Sequence, residues 1–239
     1  MITVKQTNNF KKSLEIISSL IQETNIRFKE DGIYIQAIDK TQVLLIDFKM
    51  SKSVFETYNV EPNYIGVNLL EIYNIIARSF EKDKIQIDLK ENYLEIQLNG
   101  QIQRKFNISY IETGKEIVSI PDIKFDVILS INTHLLKEIL KDASLIGNTI
   151  IFKIQNQKLI IETQGEKGKI ETTIPKIKIK SKKNNVISKY SLAYLRNITK
   201  SMDGENEIVL KFSEDSPLLL EYNLSDDIKI ELYLSSMLI

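Results

Sequence analysis

Cysteine is missing from the 239-residue chain, and histidine occurs once, at position 134. The first absence excludes disulfides, thiolate metal sites and cysteine nucleophiles, and the second removes most zinc sites and catalytic triads. No apolar run reaches the roughly 18 residues of a membrane span, and the amino terminus has no apolar centre typical of a signal peptide. With 43% hydrophobic residues, the chain is expected to be a folded intracellular protein that does not enter a membrane.

An excess of charge of either sign is also absent, because 32 Lys and Arg balance 32 Asp and Glu. No overall positive field therefore attracts nucleic acid, and a basic surface would have to be segregated from the acidic residues. Arginine occurs only at positions 27, 78, 104 and 196. A basic set made mostly of lysine suits diffuse phosphate contact better than bidentate recognition of bases.

Four segments carry apolar residues at helical spacing, starting at residues 10, 69, 135 and 192, and each predicts a helix. The residues expected to cap their amino termini are Asn9, Asn68, Asn132 and Ser191. Most of the remaining chain alternates apolar and polar residues between turn-forming clusters, which predicts strands. The sequence therefore predicts a strand-rich α+β fold.

The pattern repeats along the chain. Moving the first predicted helix by 126 residues places Phe10 on Leu136 and Leu14 on Leu140, while the caps of the second and fourth helices are 123 residues apart. This spacing predicts an internal duplication of helix, strands, helix and strands. The predicted domains are 1–110 and 124–239, joined by a connecting segment at 111–123 that contains Pro121 and alternates little.

Two strands at different places in the repeat are expected to be free sheet edges, IQRKFNISYI in the first half and KIETTI in the second. A free edge invites pairing with another chain, and head-to-tail pairing of two unlike edges closes into a ring if the angles allow. The residues expected at such a subunit interface are Ile102, Phe106, Ile108, Tyr110, Ile170, Thr172 and Ile174.

Other segments carry weaker chemical hypotheses. The lysine-rich run 175–183 could contact DNA or act as a nuclear address, and it is also typical of a solvated loop. GEKGK at 165–169 lacks the spacing of a phosphate loop and is interpreted as a hairpin turn. The acidic pairs at 214–215 and 226–227 could bind a metal or serve as acid and base, although polar turns favour simple solvation. His134 is expected to be exposed or capping, so no catalytic residue, metal ligand or cofactor is predicted.

Several stretches resemble, in order and spacing, the proliferating cell nuclear antigen family, the DNA sliding clamps of archaea and eukaryotes. They are GVNLLEIYNIIARSF, DGIYIQAIDKTQVLLIDF, LKDASLIGNTIIFKI and SEDSPLLLEYNL followed by IELYL, and the similarity runs from residue 4 to 234. The resemblance implies a DNA clamp fold of two similar domains that assembles into a trimeric ring of six domains, with sheets outside and helices lining a hole for double-stranded DNA. It implies a processivity factor rather than an enzyme, without a cofactor.

The same resemblance implies partners and a location. DNA polymerase, clamp loader, flap endonuclease and DNA ligase would bind the ring, which would be built from this chain or from sister clamp subunits. The protein would work in the cytoplasm or nucleoid of an archaeon or in a eukaryotic nucleus. Contacts with the duplex would be independent of sequence, because base-specific contacts would stop sliding.

Two sets of residues are expected to carry this function. Basic residues in or beside the four helices would face the DNA: Lys11, Lys12, Arg78, Lys82, Lys84, Lys137, Lys141, Arg196 and Lys200. The other interpretation of each is an ordinary solvated helix face, since acidic residues share these helices. An outer pocket of the family captures a short partner peptide, and its residues here would be Ile38, Gln42, Leu45, Val118, Ile120, Pro217 and Tyr233.

The chain departs from the family pattern at this pocket. The family usually closes with Y-L-A-P, whereas Tyr233 and Leu234 are followed here by two serines, and Gln42 stands where many relatives have histidine. Either the partners differ, or the chain is a specialised subunit of a mixed ring or a checkpoint-type clamp subunit. A hydrolase acting through the acidic pairs, and a scaffold that does not bind DNA, are the remaining alternatives.

Overall fold

Four α-helices, a short 3-10 helix at Lys52–Val54 and eighteen strands lie in the residues that the computed structural model describes, which are 1–114, 118–120, 122–175 and 177–238. The helices are α1 Thr7–Leu20, α2 Leu69–Ala77, α3 Thr133–Ser144 and α4 Leu192–Lys200. The strands are β1 Ile2–Val4, β2 Glu23–Lys29, β3 Gly32–Ile38, β4 Leu44–Ser51, β5 Phe55–Tyr58, β6 Asn63–Asn68, β7 Lys84–Leu89, β8 Tyr93–Asn99, β9 Gln103–Ser109, β10 Val127–Asn132, β11 Thr149–Gln155, β12 Lys158–Gly165, β13 Gly168–Ile174, β14 Ile179–Ser181, β15 Asn185–Ser191, β16 Glu207–Phe212, β17 Leu218–Ser225 and β18 Ile228–Leu234.

The chain divides into two units. Unit 1 is Met1–Asp39, Ile46–Ser119 and Asn223–Ile230, and unit 2 is Lys40–Leu45, Ile120–Tyr222 and Glu231–Ile239. The main change of unit, between residues 119 and 120, falls inside the segment expected to connect two domains. Residues 115–117 and 121 of that segment lie outside the described residues.

Each unit contains a pair of helices and two sets of hydrogen-bonded antiparallel strands. Unit 1 has the orders β5-β1-β7-β8-β9 and β4-β3-β2-β6. Unit 2 has the orders β14-β10-β16-β17-β18, counting the parts of β17 and β18 that belong to it, and β13-β12-β11-β15. In unit 1, α1 packs beside α2, and in unit 2, α3 packs beside α4.

The order of elements repeats with the offsets of the sequence pattern. The helix α1 and the strand β2 start 126 residues before α3 and β11, and α2 and β7 start 123 residues before α4 and β16. The α+β class and its division into two similar halves, as predicted, are therefore the architecture of the chain.

Apolar spacing decides which face of each element is buried. On α1, Phe10, Leu14 and Ile17 recur every three or four residues, so they share one side of the helix and all three are buried. On strands the period is two. In unit 2, the ring of Phe152 lies 5.8 Å from that of Tyr190 and 5.9 Å from that of Phe212, which joins β11, β15 and β16 in one core.

Two of the four predicted helix caps are confirmed. The Asn68 Oδ1 accepts hydrogen bonds from two backbone amides of α2 at 3.0 and 3.2 Å. The Asn132 Oδ1 accepts two from backbone amides of α3 at the same distances. Ser191 precedes α4 but its side chain accepts no cap bond. The prediction for Asn9 is wrong, because α1 begins two residues earlier and Asn9 donates to the Gln6 side chain at 3.0 Å.

Within the described part of the chain, no helix is long and apolar enough to cross a membrane.

Candidate nucleic-acid interface

A groove of about 620 Å³ runs between α3 and α4 and is lined by four basic side chains. Lys137 and Lys141 are four residues apart on α3, and Arg196 and Lys200 are four apart on α4. This spacing puts both members of each pair on one helical face. Four of the nine basic residues predicted from the sequence therefore come together in unit 2, on two adjacent helices.

The equivalent groove of unit 1, between α1 and α2, has about half that volume, about 310 Å³, and fewer cations. Its charged lining is Lys11, Lys12 and Glu15. With the offset of 123 residues, Tyr73 and Ala77 occupy the places of Arg196 and Lys200 in unit 2. The basic excess is therefore concentrated in unit 2, a difference that similar helix patterns do not reveal.

One lysine of each groove holds the end of the neighbouring helix. The Lys137 Nζ donates to the carbonyl of Met202 at 2.5 Å and to that of Lys200 at 3.3 Å. The Lys11 Nζ donates to the carbonyl of Ser79 at 2.8 Å. Both pairs are related by the repeat offsets of 126 and 123 residues. A cation at a helix carboxyl end satisfies carbonyls that lack amide partners and opposes the helix dipole.

The helices α1 and α3 each also carry an ion pair between residues three apart, with the signs exchanged. In unit 1, Lys12 lies 3.1 Å from Glu15, and in unit 2, Lys141 lies 2.5 Å from Glu138 at the equivalent positions. The hydrogen bond from Lys141 lowers the pKa of Glu138, which stays ionised at neutral pH. Both pairs have no net charge, so the net positive charge of the larger groove comes from Lys137, Arg196 and Lys200, of which Arg196 and Lys200 are exposed.

The other three predicted basic residues do not line either groove. Arg78 is the exposed residue directly after α2, and Lys82 is exposed in the following turn. Lys84 begins β7, where it lies 3.0 Å from the carboxylate of Glu56. Arg78 and Lys82 are close to α2 in the sequence, and contact of any of these three residues with a nucleic acid stays a prediction.

The residues expected to capture a partner peptide have mixed exposure. Ile38 and Ile120 are 45% and 38% exposed, and Gln42 lies at an exposed corner with a φ of 59°. Tyr233 is buried, whereas Leu45, Val118 and Pro217 are half-buried. Ile38 and Val118 belong to unit 1 and the other five to unit 2. Large exposed isoleucines are compatible with docking, and the pocket stays a prediction.

The two predicted edge strands, β9 and β13, each end an order of strands in their own units. Ile108 and Ile174 are buried within the chain. Phe106, Tyr110, Ile170 and Thr172 are half-buried, and Ile102 is 56% exposed just before β9. The assembly role of these residues stays a prediction.

An ion pair beside β9 escaped the sequence analysis. The Arg104 guanidinium donates to the buried carboxylate of Asp83 at 2.5 Å and to the carbonyl of Arg78 at 3.0 Å, and it lies 4.8 Å from the centre of the Phe80 ring. Twenty-one residues separate Arg104 from Asp83, so no local spacing signals the contact. It ties the end of α2 to β9.

Both acidic pairs lie in turns between strands. Asp227 accepts hydrogen bonds from the Ser53 hydroxyl and, at 3.0 Å, from the Gln6 amide, and these bonds hold its pKa below the usual range. Glu214 and Asp215 are exposed in a turn. Throughout the described residues, no group of three His, Asp or Glu side chains could hold a metal ion.

Comparisons with known proteins agree with this architecture. Residues 2–116 match the family model "Proliferating cell nuclear antigen, N-terminal domain", and residues 119–237 match "Proliferating cell nuclear antigen, C-terminal domain". A "DNA polymerase sliding clamp" of Methanococcus maripaludis is 31% identical over 230 residues, with 92% of each chain covered. A protein of the same description from Pyrococcus furiosus is 29% identical over 237 residues, covering 95% of this chain and 93% of that one.

Solved structures show the same fold. The crystal structure of PCNA from Thermococcus kodakaraensis superposes with a TM-score of 0.92 at 23% identity and covers 99% of both chains. The antigen from Entamoeba histolytica gives a TM-score of 0.91 at 21% identity, covering 99% of this chain and 98% of that one.

Proposed function

Because the chain belongs to the proliferating cell nuclear antigen family, we propose that it works as a DNA polymerase sliding clamp, with α1 to α4 turned toward the DNA. The family acts as a processivity factor, so the protein is not an enzyme. A clamp needs no catalytic residue. It holds a polymerase on its template by enclosing the duplex.

The observation that carries the proposal is the groove of four cations between α3 and α4. Lysine and arginine side chains on a helix surface attract phosphates at long range and exchange between them, because this attraction does not depend on base sequence. Arg196 and Lys200 are exposed. Such contacts would tolerate movement along DNA, and a ring would repeat them with each subunit.

We further propose that three subunits form the ring through β9 of one and β13 of the next. Both strands have seven residues and lie at the ends of their strand orders. Partner proteins would include the clamp loader, flap endonuclease and DNA ligase, and the exposed apolar residues expected to bind them are Ile38 in unit 1 and Ile120 in unit 2. Since DNA replication takes place inside cells, the protein would be intracellular.

Topology separates a clamp from an ordinary DNA-binding protein. Labelled protein loaded on a nicked circular DNA should stay bound, and cutting the circle into a linear molecule should release it rapidly at moderate salt. Polymerase products on a primed circular template should lengthen when the protein is present. Equal release rates from circular and linear DNA would contradict the proposal.

Light scattering of the chain alone tests the assembly. A mass of three times 27.6 kDa is expected for a ring of identical subunits. A monomer at micromolar concentration that assembles only with sister chains would instead identify a subunit of a mixed ring.

The groove is tested by changing Arg196 and Lys200 together to glutamine. The double variant should bind duplex DNA more weakly, with a shallower dependence of affinity on salt, because fewer counterions are released. The matched control changes Lys158 and Lys167, two exposed lysines of unit 2 away from the helices. If both double variants lose the same affinity, the groove is not the DNA interface.

A further inference from the structure

The lysine-rich segment that follows β13 forms a short outer strand rather than a featureless loop. Ile179–Ser181 make up β14, which pairs with Val127–Leu129 of β10 and ends the order β14-β10-β16-β17-β18. Lys176, earlier in the segment, lies outside the described residues. The clamp function leaves this strand without a role.

One edge of this strand is held firmly. The Lys182 amide donates to the carbonyl of Asp126 at 2.9 Å, and the Lys182 Nζ donates to the carbonyl of Phe125 at 3.1 Å. Lys183 forms an ion pair with Asp126 at 2.8 Å, which lowers the pKa of that carboxyl. These contacts fix the strand along the start of β10.

The opposite edge carries backbone groups that point outward. Amides of alternate residues face the same side in an antiparallel pair. Because the Lys182 amide faces β10, the backbone groups of Ile179 and Ser181 face away from it. In the described residues no further strand follows β14 in its order. A short extended segment could add there as another strand.

The surface beside this edge is basic with one apolar side chain. Lys178 and Lys180 are exposed, and Lys180 stands opposite Ile128, which is 38% exposed on the same face. Across Ile128 lies Lys211, whose charge is paired with Glu221 at 2.6 Å. In a chain without net charge, this face is a local excess of positive charge.

We propose that the outer edge of β14 binds an extended acidic peptide segment of a partner protein, which adds to the sheet as a strand. Backbone hydrogen bonds to Ile179 and Ser181 would align the peptide, and Lys178 and Lys180 would select carboxylates on their face of the sheet. A second copy of β14 is a poor occupant, since lysines would face lysines. Duplex DNA cannot add to the edge of a sheet as a strand.

The probe for this proposal is a short fluorescent peptide in which Glu and Val alternate, followed by anisotropy with the purified full chain. Changing Lys178 and Lys180 to glutamate should weaken binding about tenfold or more, because two attractions become repulsions. The control pair, Lys158 and Lys167 changed to glutamate, should leave affinity within about twofold. Circular dichroism melting checks that both variants remain folded.

A second peptide distinguishes strand addition from charge attraction without altering the protein. N-methylation at alternate residues removes the amides that pair with an edge while keeping every carboxylate, so it should abolish binding. Equal binding of both peptides would overturn the proposal, as would equal losses in the two double variants or no binding by the wild type. The proposal also falls if the Lys178 and Lys180 variant loses affinity for duplex DNA while the peptide does not bind. None of these outcomes depends on ring formation.

Discussion

Replacing Lys137 with methionine removes the ammonium group at the end of α4 and keeps most of the side chain's length and apolar stem. The lost contacts include the hydrogen bonds of 2.5 Å to the carbonyl of Met202 and 3.3 Å to that of Lys200. We expect the variant to be less stable but to keep the salt dependence of DNA binding. The lysine is thus assigned a structural role although it lines a basic groove.

The size of the effect follows from the geometry. A hydrogen bond from a charged group contributes about 1.5 to 3 kcal/mol, and a cation at a helix carboxyl end adds about 0.3 to 1 kcal/mol. The longer contact adds little. Lys137 is only half-buried, so water replaces part of the loss. We expect the free energy of unfolding to fall by about 1.5 kcal/mol.

Urea unfolding followed by circular dichroism, at one fixed protein concentration, measures this difference. The matched control is Lys141→Met on the same helix, where an exposed ion pair with Glu138 predicts a loss below about 0.5 kcal/mol. Duplex binding across a salt series is the second measurement. If Lys137→Met is as stable as the control and flattens the salt dependence, Lys137 contacts phosphate and the structural assignment is wrong.

Three further predictions concern single residues. Asn132→Ala should lower the free energy of unfolding by about 1 kcal/mol because α3 loses its cap, whereas Asn9→Ala should change it little, as compared by thermal melting. Phe152→Ala should cost about 3 to 5 kcal/mol in urea unfolding, since the ring is fully buried between two other rings. Because its pKa is lowered in the folded state, the Asp227 carboxylate stabilises the fold at pH values above the ordinary pKa of the group. This stabilisation is lost as the pH falls through the folded-state pKa. Stability of Asp227→Asn should therefore depend less on acid pH, and an unchanged pH profile would contradict this.

Local pattern was enough to predict much of the fold. Helical spacing located all four helices, and a short side chain before an apolar period identified Asn68 and Asn132 as caps. The same reasoning failed at Asn9, since a cap depends on where the chain turns and not on residue type alone. The first turn of α1 is polar, so the apolar period begins after the helix does.

The candidate site was predicted only as a set of basic positions. Helical spacing on its own could place Lys137 and Lys141 on one face, but it could not show that α4 adds two more cations to the same groove. Nor could it separate Lys11, which holds the end of α2, from an exposed lysine. Such distinctions depend on which carbonyl or carboxylate of a distant segment lies within about 3 Å.

The sequence by itself determined the four α-helices, most of the strands, the duplication and the family, because periodicity and motif order are properties of the chain in one dimension. Tertiary structure alone decided that unit 2 has the more basic groove, that Arg104 pairs with Asp83, and that a lysine-rich run is an edge strand. Charge, burial and hydrogen bonding depend on neighbours in space, and packing brings together residues that the chain keeps far apart.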